Sequence, residues 1–300
     1  MSLTVDVTIA TWNCWHLLEQ CLASLERQSQ PPHEILIVDQ GSTDGTAETL
    51  RRRFPRMRLL SQPTNTGYCQ AQNRAIHQSQ SEAVLVLNND VVLHRDFLRQ
   101  ATAALAAEAR LGAVGGKVLS WDARRIDCAC QMLARSCKPE DRGYRQRDQG
   151  QFDQPGNIFG PGGAAALYRR SALENVAEQG MYFDERLGCF YEDLDLVWRL
   201  QRRGWRARYV PEAVAYHYRG ATAQGPRPRQ AWLADYDLAA LPSELQRRLI
   251  RNRRLVLRKH HAWRRVHDWP WLLAYEVRLC GYHLLRRPAT GSPAPSLQAP

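Results

Sequence analysis

The first part of the chain alternates between strand and helix patterns, and this alternation constrains the fold more than any other feature. Residues 5–11 (VDVTIAT) and 33–39 (HEILIVD) have the composition of buried strands, and residues 14–28 between them place apolar side chains on one helical stripe. Strands are also predicted at 57–62 and 83–89, and helices at 67–79 and 95–109. Such alternation predicts an α/β fold, with a mostly parallel sheet, right-handed crossovers and flanking helices.

The pattern changes after residue 120. Residues 120–155 are charged, rich in glutamine and contain glycines, which is typical of a surface insertion or a mobile loop. Regular patterns then return, including a helix that starts in acids and ends at Gly204, and two short strands within residues 205–220. Beyond Gln224 the chain reads as helices, and its low-complexity end after Arg287 predicts disorder.

Charge divides the chain into two parts. From Pro226 onward there are 14 basic and 5 acidic residues, a net charge of +9, whereas the first 225 residues carry only +2. We therefore predict an α/β domain over residues 1–225 and a basic helical extension with a disordered end over residues 226–300. A near-neutral body with a basic tail indicates an anionic partner for the tail and argues against a body that binds nucleic acid.

The eight cysteines show no clear signature of a metal site or of disulfides. Only Cys128, Cys130 and Cys137 lie close together, and they lack the paired C-x-x-C spacing of a zinc site. We interpret the cysteines as reduced thiols of a cytoplasmic protein. No basic segment precedes the first apolar run, and no apolar stretch approaches the ~20 residues that cross a bilayer, so neither a signal peptide nor a spanning helix is expected.

Polar side chains follow the predicted strands at the points where the strands end. Thr11 ends the first strand and Asp39 the second, while Asn88 and Asp90 follow the apolar run of the fourth. Ligands of open α/β sheets bind at this edge, where Asp39 can accept hydrogen bonds from a ribose or base and Asp90 can hold a metal on a diphosphate. The first strand-to-helix turn, with Asn13, contains no glycine, which disfavours an NAD or FAD enzyme. The pattern predicts a nucleoside-diphosphate site.

The same residues also have purely structural interpretations. Asn and Asp favour turns, so residues 88–90 would serve equally well as a strand exit. Asp39 can form an Asx-turn that introduces residues 41–45 (GSTDG). Both interpretations remain open from these residues alone.

A second group of candidates lies in residues 190–205 (FYEDLDLVWRLQRRGW). Glu192 and Asp193 fall in the first turn of the predicted helix, where the helix dipole favours acids, so helix stabilisation is one interpretation. The flanking residues are apolar and would partly bury these carboxylates, which raises their pKa and suits a general base. His217 follows a later strand and either completes a metal shell with Asp90 or is packed between two tyrosines.

Together these segments resemble family 2 inverting glycosyltransferases with the GT-A fold, over about residues 4–222. The resemblance rests on segments that occur in the family's order and with ordinary spacing: TIATWN, EILIVDQGSTDGT, TNTGYCQAQNRAI, VLVLNNDVV, GPGGAAALYRRSAL, FDERLGCFYEDLDLVWRLQRRGW and AVAYHYRGAT. The sequence is most similar to the bacterial rhamnosyltransferase-like branch that builds cell-surface polysaccharide. The resemblance implies transfer of a sugar from a nucleotide-diphosphate donor, with dTDP-rhamnose as one candidate, to a hydroxyl of a saccharide or lipid-linked acceptor.

The resemblance also implies roles for individual residues. Thr11, Asn13, Asp39 and Asn88 are expected to bind the nucleotide, and Asp90 and His217 a divalent metal (Mn²⁺ or Mg²⁺). Asp193 is expected to be the catalytic base, with Glu192 as the next candidate. Gly162, Gly163 and Ala164 are expected to bind the sugar and the acceptor. The expected domain at residues 1–225 is then a GT-A glycosyltransferase domain.

Three positions depart from the family's pattern. Asn88 stands where a full D-x-D element has its first acid, which weakens the expected metal site. Gln40 replaces a more usual Asn, and residues 67–73 (GYCQAQN) replace the commoner GFAGGNN, so a nucleotide contact or the entry into a helix is expected to differ. The changes at Gln40 and at residues 67–73 remove no charged catalytic group.

Two other classes of function were weighed. A catalytically silent sugar- or nucleotide-binding protein on the same fold would keep Asp39 and lose the base, whereas Asp193 is present. A nucleic-acid-binding protein would need aromatic and basic residues interleaved on a sheet, and no such motif occurs. We therefore expect an enzyme that does not bind nucleic acid.

The basic tail has two interpretations. Residues 247–288 mix arginines with Trp, Leu and Tyr at helical spacing, which suits a helical cap with a solvated basic face. The concentrated charge and the tryptophans also suit peripheral binding to the inner face of the cytoplasmic membrane, beside a lipid-linked acceptor. We expect the second role.

Overall fold

The computed structural model describes residues 3–219, 242–260 and 266–285. Contacts divide the chain into two units, Met1–Met132 with Glu140–Arg219, and Leu133–Pro139 with Gly220–Pro300. The domain boundary predicted between residues 225 and 226 lies outside the described residues.

The strands and helices of residues 3–219 follow each other with short connections. The strands are β1 Val5–Thr11, β2 Glu34–Asp39, β3 Arg58–Ser61, β4 Ala83–Asn88, β5 Val91–Leu93, β6 Leu111–Ser120, β7 Ile126–Cys128, β8 Gln131–Leu133, β9 Pro139–Asp141, β10 Gly156–Ile158, β11 Ala165–Arg169 and β12 Arg206–His217. The α-helices are α1 Trp15–Glu26, α2 Thr46–Arg53, α3 Tyr68–Gln78, α4 Phe97–Ala107, α5 Arg170–Val176 and α6 Glu192–Arg202, with a short 3-10 helix at Glu185–Leu187.

One large sheet carries the candidate site. Its strands lie in the order β10-β12-β6-β11-β4-β1-β2-β3, with β5 paired to β12 and β7 paired to β6. β3, β2, β1 and β4 are parallel to one another, whereas β11 is antiparallel to both β4 and β6. The α/β class and the flanking helices are as the sequence predicts, and the sheet is mixed. Antiparallel pairing needs no helical crossover, and residues 121–164 contain no helix.

Both faces of the central strand β1 are buried. Val7 and Ile9 lie in one hydrophobic cluster with Leu18 of α1, whereas Ala10 lies in another with Ala71 of α3. The strand still alternates between apolar and polar residues in sequence, because polar side chains such as Asp6 are buried as well, and Asp6 accepts hydrogen bonds from two serine hydroxyls. Leu18 is fully buried, and burial of a leucine stabilises the fold by about 1.5–3 kcal/mol.

The segment predicted as an insertion is an ordered part of the structure. Within residues 120–155, β7 pairs antiparallel with β6, matching Val118 with Cys128 and Leu119 with Ile126. Ile126 and Cys128 are buried. The prediction of a surface insertion or mobile loop is wrong for this part of the segment. The sequence did not reveal the strand because β7 is only three residues long, which is too short to give a periodic signal.

The two short strands predicted within residues 205–220 are one strand. β12 runs for 12 residues, and its pairing with β6 shifts register between Val210 and Val214. Pro211 lies in this irregular stretch. Because proline has no N–H to donate to a ladder, it reads as a strand break in sequence, whereas a bulge accommodates it here.

The described residues of the second unit include two long helices, in agreement with the helical pattern predicted beyond Gln224. They are α7 Ser243–Lys259 and α8 Trp269–Leu285, with a 3-10 turn at Val266–Asp268 before α8. Arg253 of α7 is fully buried and donates to the carbonyl oxygens of Ser136 at 2.7 Å and Cys137 at 3.1 Å. Its Nε also donates to Oε1 of Glu276 at 2.8 Å, which joins α7 to α8.

A second arginine joins the start of α8 to residues 133–139. Arg135 Nε donates to Oδ1 of Asp268 at 3.0 Å, and its guanidinium lies 3.5 Å from the ring centre of Trp271. Trp263, one of the tryptophans of residues 247–288, and the end after residue 287 lie outside the described residues. Within the part of the chain that the structure describes, no helix combines the length and apolar character needed to cross a bilayer.

Candidate active site

The carboxyl ends of three parallel strands meet at one edge of the sheet. β1 lies between β2 and β4, and Thr11 is opposite Asp39 while Ala10 is opposite Asn88. Asn89 Nδ2 donates to Oγ1 of Thr11 at 3.1 Å, across the gap between β4 and β1. The register therefore brings together the polar strand ends that the sequence predicted as a nucleotide site.

The turns after β1 and β2 are locked to each other. The backbone N–H of Asn13 donates to Ser42 Oγ at 2.9 Å, and Asn13 Oδ1 accepts from the N–H of Thr43 at 2.7 Å. Asn13 has φ +47°, a left-handed conformation that Asn tolerates better than most residues. Asp39 is buried, and its Oδ1 accepts from the N–H of Ser42 at 3.3 Å. This bond spans three residues, one more than an Asx-turn, so Asp39 stabilises the following turn by a related contact.

Gln40, which departs from the family's pattern, has a structural partner. Its Oε1 accepts from the N–H of Thr66 at 3.2 Å, in the loop that leads into α3. Next to this loop, Gly67 has φ +96° and precedes the first residue of the helix. The substituted side chain thus ties the entry of α3 to the end of β2.

Asp90 and His217 lie side by side at the same edge. His217 ends β12, where it pairs with Val91, and the N–H of Tyr218 donates to the carbonyl oxygen of Asp90 at 3.0 Å. His217 Nε2 is 3.3 Å from Oδ1 of Asp90, and both side chains are buried. The structure therefore brings together the two residues predicted to hold a metal.

Asp127, which is buried, and Arg219, whose side chain is 34% exposed, extend this pair into a network of charges. His217 Nδ1 is 2.8 Å from Oδ2 of Asp127, whose Oδ1 accepts from Arg219 Nε at 2.9 Å. A second guanidinium nitrogen of Arg219 lies 2.5 Å from Oδ2 of Asp141. The sequence analysis missed Asp127 and Asp141 because they lie in the segment read as an insertion, where no periodic pattern marks them.

The charges in this network compensate each other. Burial by itself lowers the pKa of His217, but its contacts with Asp127 and Asp90 outweigh burial and raise that pKa to about 9. The imidazole is therefore protonated at neutral pH in the absence of a cation. For Arg219, burial also lowers the pKa, and Asp141 and Asp127 raise it well above its usual value.

The side chains of Asp90 and His217 are suitable ligands for a divalent cation that also binds a substrate. A carboxylate oxygen and an imidazole nitrogen are ligands that suit Mn²⁺. Among the described residues, no group of three or more His, Cys, Asp or Glu is arranged to hold a metal. Sites that bind a metal with phosphate commonly use one or two protein carboxylates and leave the other positions to phosphate oxygens and water, so two protein ligands are sufficient here.

A strained turn presents the two candidate catalytic acids at the start of α6. Phe190 and Tyr191 have φ +69° and +71°, and consecutive non-glycine residues in this region carry strain of the kind that clusters at functional sites. Asp193 Oδ1 accepts from the N–H of Leu194 at 2.7 Å, and its Oδ2 accepts from Gln131 Nε2 at 2.9 Å. Gln131 is a further residue from the misread segment that the sequence analysis did not find.

Burial sets the protonation of these acids. It raises the pKa of Glu192 to about 8, with a further contribution from Asp193. Burial likewise raises the pKa of Asp193, against the hydrogen bond from Leu194, and Asp141 adds to the increase. Oε2 of Glu192 is buried and has no hydrogen-bond partner in the described part of the chain. Elevated carboxyl pKa values of this kind suit proton transfer.

The glycine-rich segment before β11 connects the two groups of residues. The N–H of Asn88 donates to the carbonyl oxygen of Ala164 at 2.9 Å. A Cβ atom on Gly163 would lie 2.9 Å from Oδ2 of Asp193, and one on Gly162 would lie 2.7 Å from Sγ of Cys128. Only glycine permits these approaches, so Gly162–Ala164 adjoin both the strand-end edge and the candidate base.

Known proteins match the chain along most of its length. The family model described as Glycosyl transferase family 2 matches residues 6–177. An N-acetylglucosaminyl-diphospho-decaprenol L-rhamnosyltransferase of Mycobacterium tuberculosis (strain H37Rv) is 32% identical over 251 residues, covering 75% of this chain and 80% of the relative. An N-acetylglucosaminyltransferase of Rhizobium meliloti (strain 1021) is 30% identical over 224 residues, 70% of this chain and 50% of the relative.

Solved structures share the fold at low sequence identity. A mannosyltransferase from Pyrobaculum calidifontis, in complex with GDP-Man and Mn²⁺, aligns with a TM-score of 0.55 at 19% identity, over 96% of this chain and 77% of that one. GalNAc-T7 with UDP, GalNAc and Mn²⁺ aligns with a TM-score of 0.59 at 14% identity, over 76% of this chain and 45% of that one. The family match and the fold agree with the resemblance seen in the sequence: the chain belongs to glycosyl transferase family 2 and is a glycosyltransferase with the GT-A fold.

Proposed function

We propose that this protein is an inverting L-rhamnosyltransferase of cell-surface polysaccharide synthesis, which transfers rhamnose from dTDP-L-rhamnose to a hydroxyl of a lipid-linked acceptor sugar. The observation that carries the chemistry is the pair of partly buried acids Glu192 and Asp193, which both have raised pKa values and of which Asp193 adjoins Gly163. The mycobacterial relative supports the choice of sugar and acceptor class.

Asp193 is the base that removes the proton from the acceptor hydroxyl. Hydrogen bonds to a carboxylate favour its ionised form, and Asp193 accepts them from Leu194 and Gln131. For Glu192, burial outweighs two backbone hydrogen bonds and raises the pKa to about 8, and among the described residues its Oε2 has no partner. Glu192 therefore keeps its proton at neutral pH, and Asp193 carries the negative charge of the pair. The deprotonated oxygen then attacks the anomeric carbon from the face opposite the leaving nucleoside diphosphate, so the configuration inverts.

The polar strand ends bind the donor in this proposal. Thr11, Asn13, Asp39 and Asn88 hold the nucleoside, and Asp90 and His217 hold a divalent cation, Mn²⁺ or Mg²⁺. Such a cation, when bound, neutralises charge that develops on the diphosphate leaving group. Gly162, Gly163 and Ala164 form the floor under the sugar and the acceptor.

The test is a transfer assay with defined donors. The full-length protein is incubated with a synthetic N-acetylglucosaminyl-diphospho-lipid as acceptor. The donor is dTDP-rhamnose in one reaction and another UDP-, dTDP- or GDP-sugar in each of the others. The product is identified by its mass and by its anomeric configuration. We expect transfer from dTDP-rhamnose with inversion. Transfer from another donor would contradict the rhamnosyl assignment, and donor binding without transfer would favour the silent binding protein.

We also propose that the enzyme is cytoplasmic and that its second unit binds the inner face of the cytoplasmic membrane. Trp269, Leu273 and Val277 follow each other at four-residue spacing on α8 and are 47%, 61% and 71% exposed. A groove of about 380 Å³ beside this stripe is lined by Arg254, Leu257, Arg258, Trp269, Leu272, Leu273 and Glu276. An apolar stripe next to arginines is the arrangement of helices that lie in an anionic bilayer surface.

Flotation with vesicles containing anionic lipid tests this location. Replacing Arg254 and Arg258 by glutamine should weaken binding, because each basic residue near an anionic surface contributes about 1 kcal/mol. Replacing the exposed Arg52 and Arg56 of the first unit removes the same charge and is the matched control. Equal flotation of the two double variants would contradict the proposal.

A further inference from the structure

Asp127 contacts the ring nitrogen of His217 that does not face Asp90. The carboxylate is 4% exposed, and its Oδ2 lies 2.8 Å from His217 Nδ1. An ionised carboxylate accepts hydrogen bonds and donates none, so the hydrogen of this bond resides on Nδ1. Asp127 is absent from the proposed mechanism, although it is one of the few buried carboxylates near the strand-end edge.

Arg219 holds Asp127 in place. Its Nε donates to the other oxygen of Asp127 at 2.9 Å, while the guanidinium also contacts Asp141 and lies 4.5 Å from the ring centre of Tyr144. Both oxygens of Asp127 are thus occupied in charge-assisted hydrogen bonds. The carboxylate cannot rotate away from the imidazole without breaking one of them.

With its hydrogen fixed on Nδ1, His217 presents Nε2 to Asp90, 3.3 Å from Oδ1. Histidines that bind metals commonly donate their other ring N–H to a carboxylate, which fixes the ring's tautomer and orientation and strengthens the ligand. We infer that Asp127 is a positioning residue, which holds His217 so that Nε2 and Asp90 together face the cation of the donor diphosphate. Asp127 has this role only if the proposed function correctly places a cation at these two residues.

Binding of Mn²⁺ measures this role without any sugar transfer. The full-length protein is titrated with Mn²⁺ in the presence of dTDP, and free Mn²⁺ is followed by electron paramagnetic resonance. Loss of a carboxylate that orients a metal ligand typically costs 10–100-fold in affinity, so we expect Asp127→Asn to weaken Mn²⁺ binding by about that factor. Asp141→Asn is the matched control, because it removes the other acid on Arg219 but no hydrogen bond to His217, and its affinity should stay close to wild type.

A double-mutant cycle separates positioning from a general structural effect. If Asp127 acts through the imidazole, Asp127→Asn should cause no further loss of Mn²⁺ affinity in a His217→Gln background. An equal loss in both backgrounds would overturn the inference. If Asp127→Asn does not fold, Arg219→Gln provides the test. This variant keeps the Asp127 carboxylate but removes the hydrogen bond to one of its oxygens, so we expect a smaller loss of Mn²⁺ affinity.

The imidazole can also be observed directly in the absence of metal. In protein labelled with ¹⁵N-histidine, the Nδ1–H signal of His217 is identified by its disappearance in His217→Gln. We expect this signal to persist in Asp141→Asn. In Asp127→Asn it should be lost or strongly shifted. Unchanged signals and wild-type Mn²⁺ affinity in both Asp127→Asn and Arg219→Gln would overturn the role of Asp127. Failure of the wild-type protein to bind Mn²⁺ with dTDP would also overturn it, whereas sugar transfer, assayed by product mass, would still test the proposed function independently.

Discussion

The two halves of the candidate site treat buried charge in opposite ways. At the strand-end edge, Asp90, His217, Asp127 and Arg219 alternate in sign, and contacts within the network raise the pKa of the histidine. At the start of α6, two partly buried acids lie next to each other, and one buried oxygen of Glu192 has no hydrogen-bond partner among the described residues. A compensated network suits fixed binding of a cation, whereas uncompensated acids suit proton transfer.

The substitution with the largest expected effect removes the proposed base and leaves the network of Asp90, His217, Asp127 and Arg219 intact. We expect Asp193→Asn to lower kcat for transfer by about 10²–10⁴-fold, because loss of a general base has that cost. Binding of dTDP, measured by calorimetry, should remain near wild type. If the variant transfers sugar at the wild-type rate, the base is another residue, with Glu192 the next candidate.

The next change removes a charge from the compensated half. Asp90→Ala should weaken Mn²⁺-dependent binding of dTDP by at least about 10–100-fold, since a group that faces the ion contributes no less than one that orients a ligand. The exposed Asp122 is the control, and Asp122→Ala should bind as wild type does. Undiminished activity of the wild-type enzyme in excess EDTA would instead make Asp90 a hydrogen-bonding residue.

Stability measured against pH tests the raised pKa of Glu192. The folded-state pKa of Glu192, about 8, lies above its ordinary value of 4.5, so the folded protein binds more protons than the unfolded one between these pH values. The free energy of unfolding should therefore fall as pH rises through that window, by up to about 1.4 kcal/mol per pH unit from this group. Glu192→Gln should reduce that slope in denaturant unfolding from pH 5 to 8, and an unchanged slope would show that Glu192 is not the group responsible.

The smallest change moves the base without removing it. In Gly163→Ala the new methyl group would meet Oδ2 of Asp193 at 2.9 Å, which forces a shift of a few tenths of an ångström. Because a misplacement of about 1 Å can cost 10²-fold, we expect kcat to fall roughly tenfold with donor KM unchanged. Gly156→Ala, whose methyl group would meet nothing within 4 Å, is the control. Equal kcat values for the two variants would contradict contact between Gly163 and the base.

Each half contains residues that the sequence predicts and residues that it does not. Asp39, Asp90 and Asp193 adjoin long segments with a clear period, so their places at strand ends and at a helix start follow from the pattern. Asp127 and Gln131 lie in or beside three-residue strands, which have no readable period. Their proximity to His217 and Asp193 depends on pairing between distant parts of the chain, such as β6 with β7, which a local pattern does not contain.

Fold prediction has the same limit. The parallel strands β1 to β4 are separated by amphipathic helices, and each helix specifies the direction of the next strand. β12 is different, since Pro211 suggests a break and only the pairing with β6 on both sides of the bulge shows one strand. The roles assigned to the site residues stay predictions until the variants above are measured.

The hydrogen bonds that join Asn13 to Ser42 and Thr43 affect how a donor binds. Ordering one residue of a flexible loop costs about 1–2 kcal/mol in backbone entropy at 25 °C. Here the turns after β1 and β2 are already tied to each other by hydrogen bonds of 2.9 and 2.7 Å. A nucleoside that docks on this edge meets a rigid surface, so its association should show little of the entropy loss and heat-capacity change that accompany coupled folding and binding.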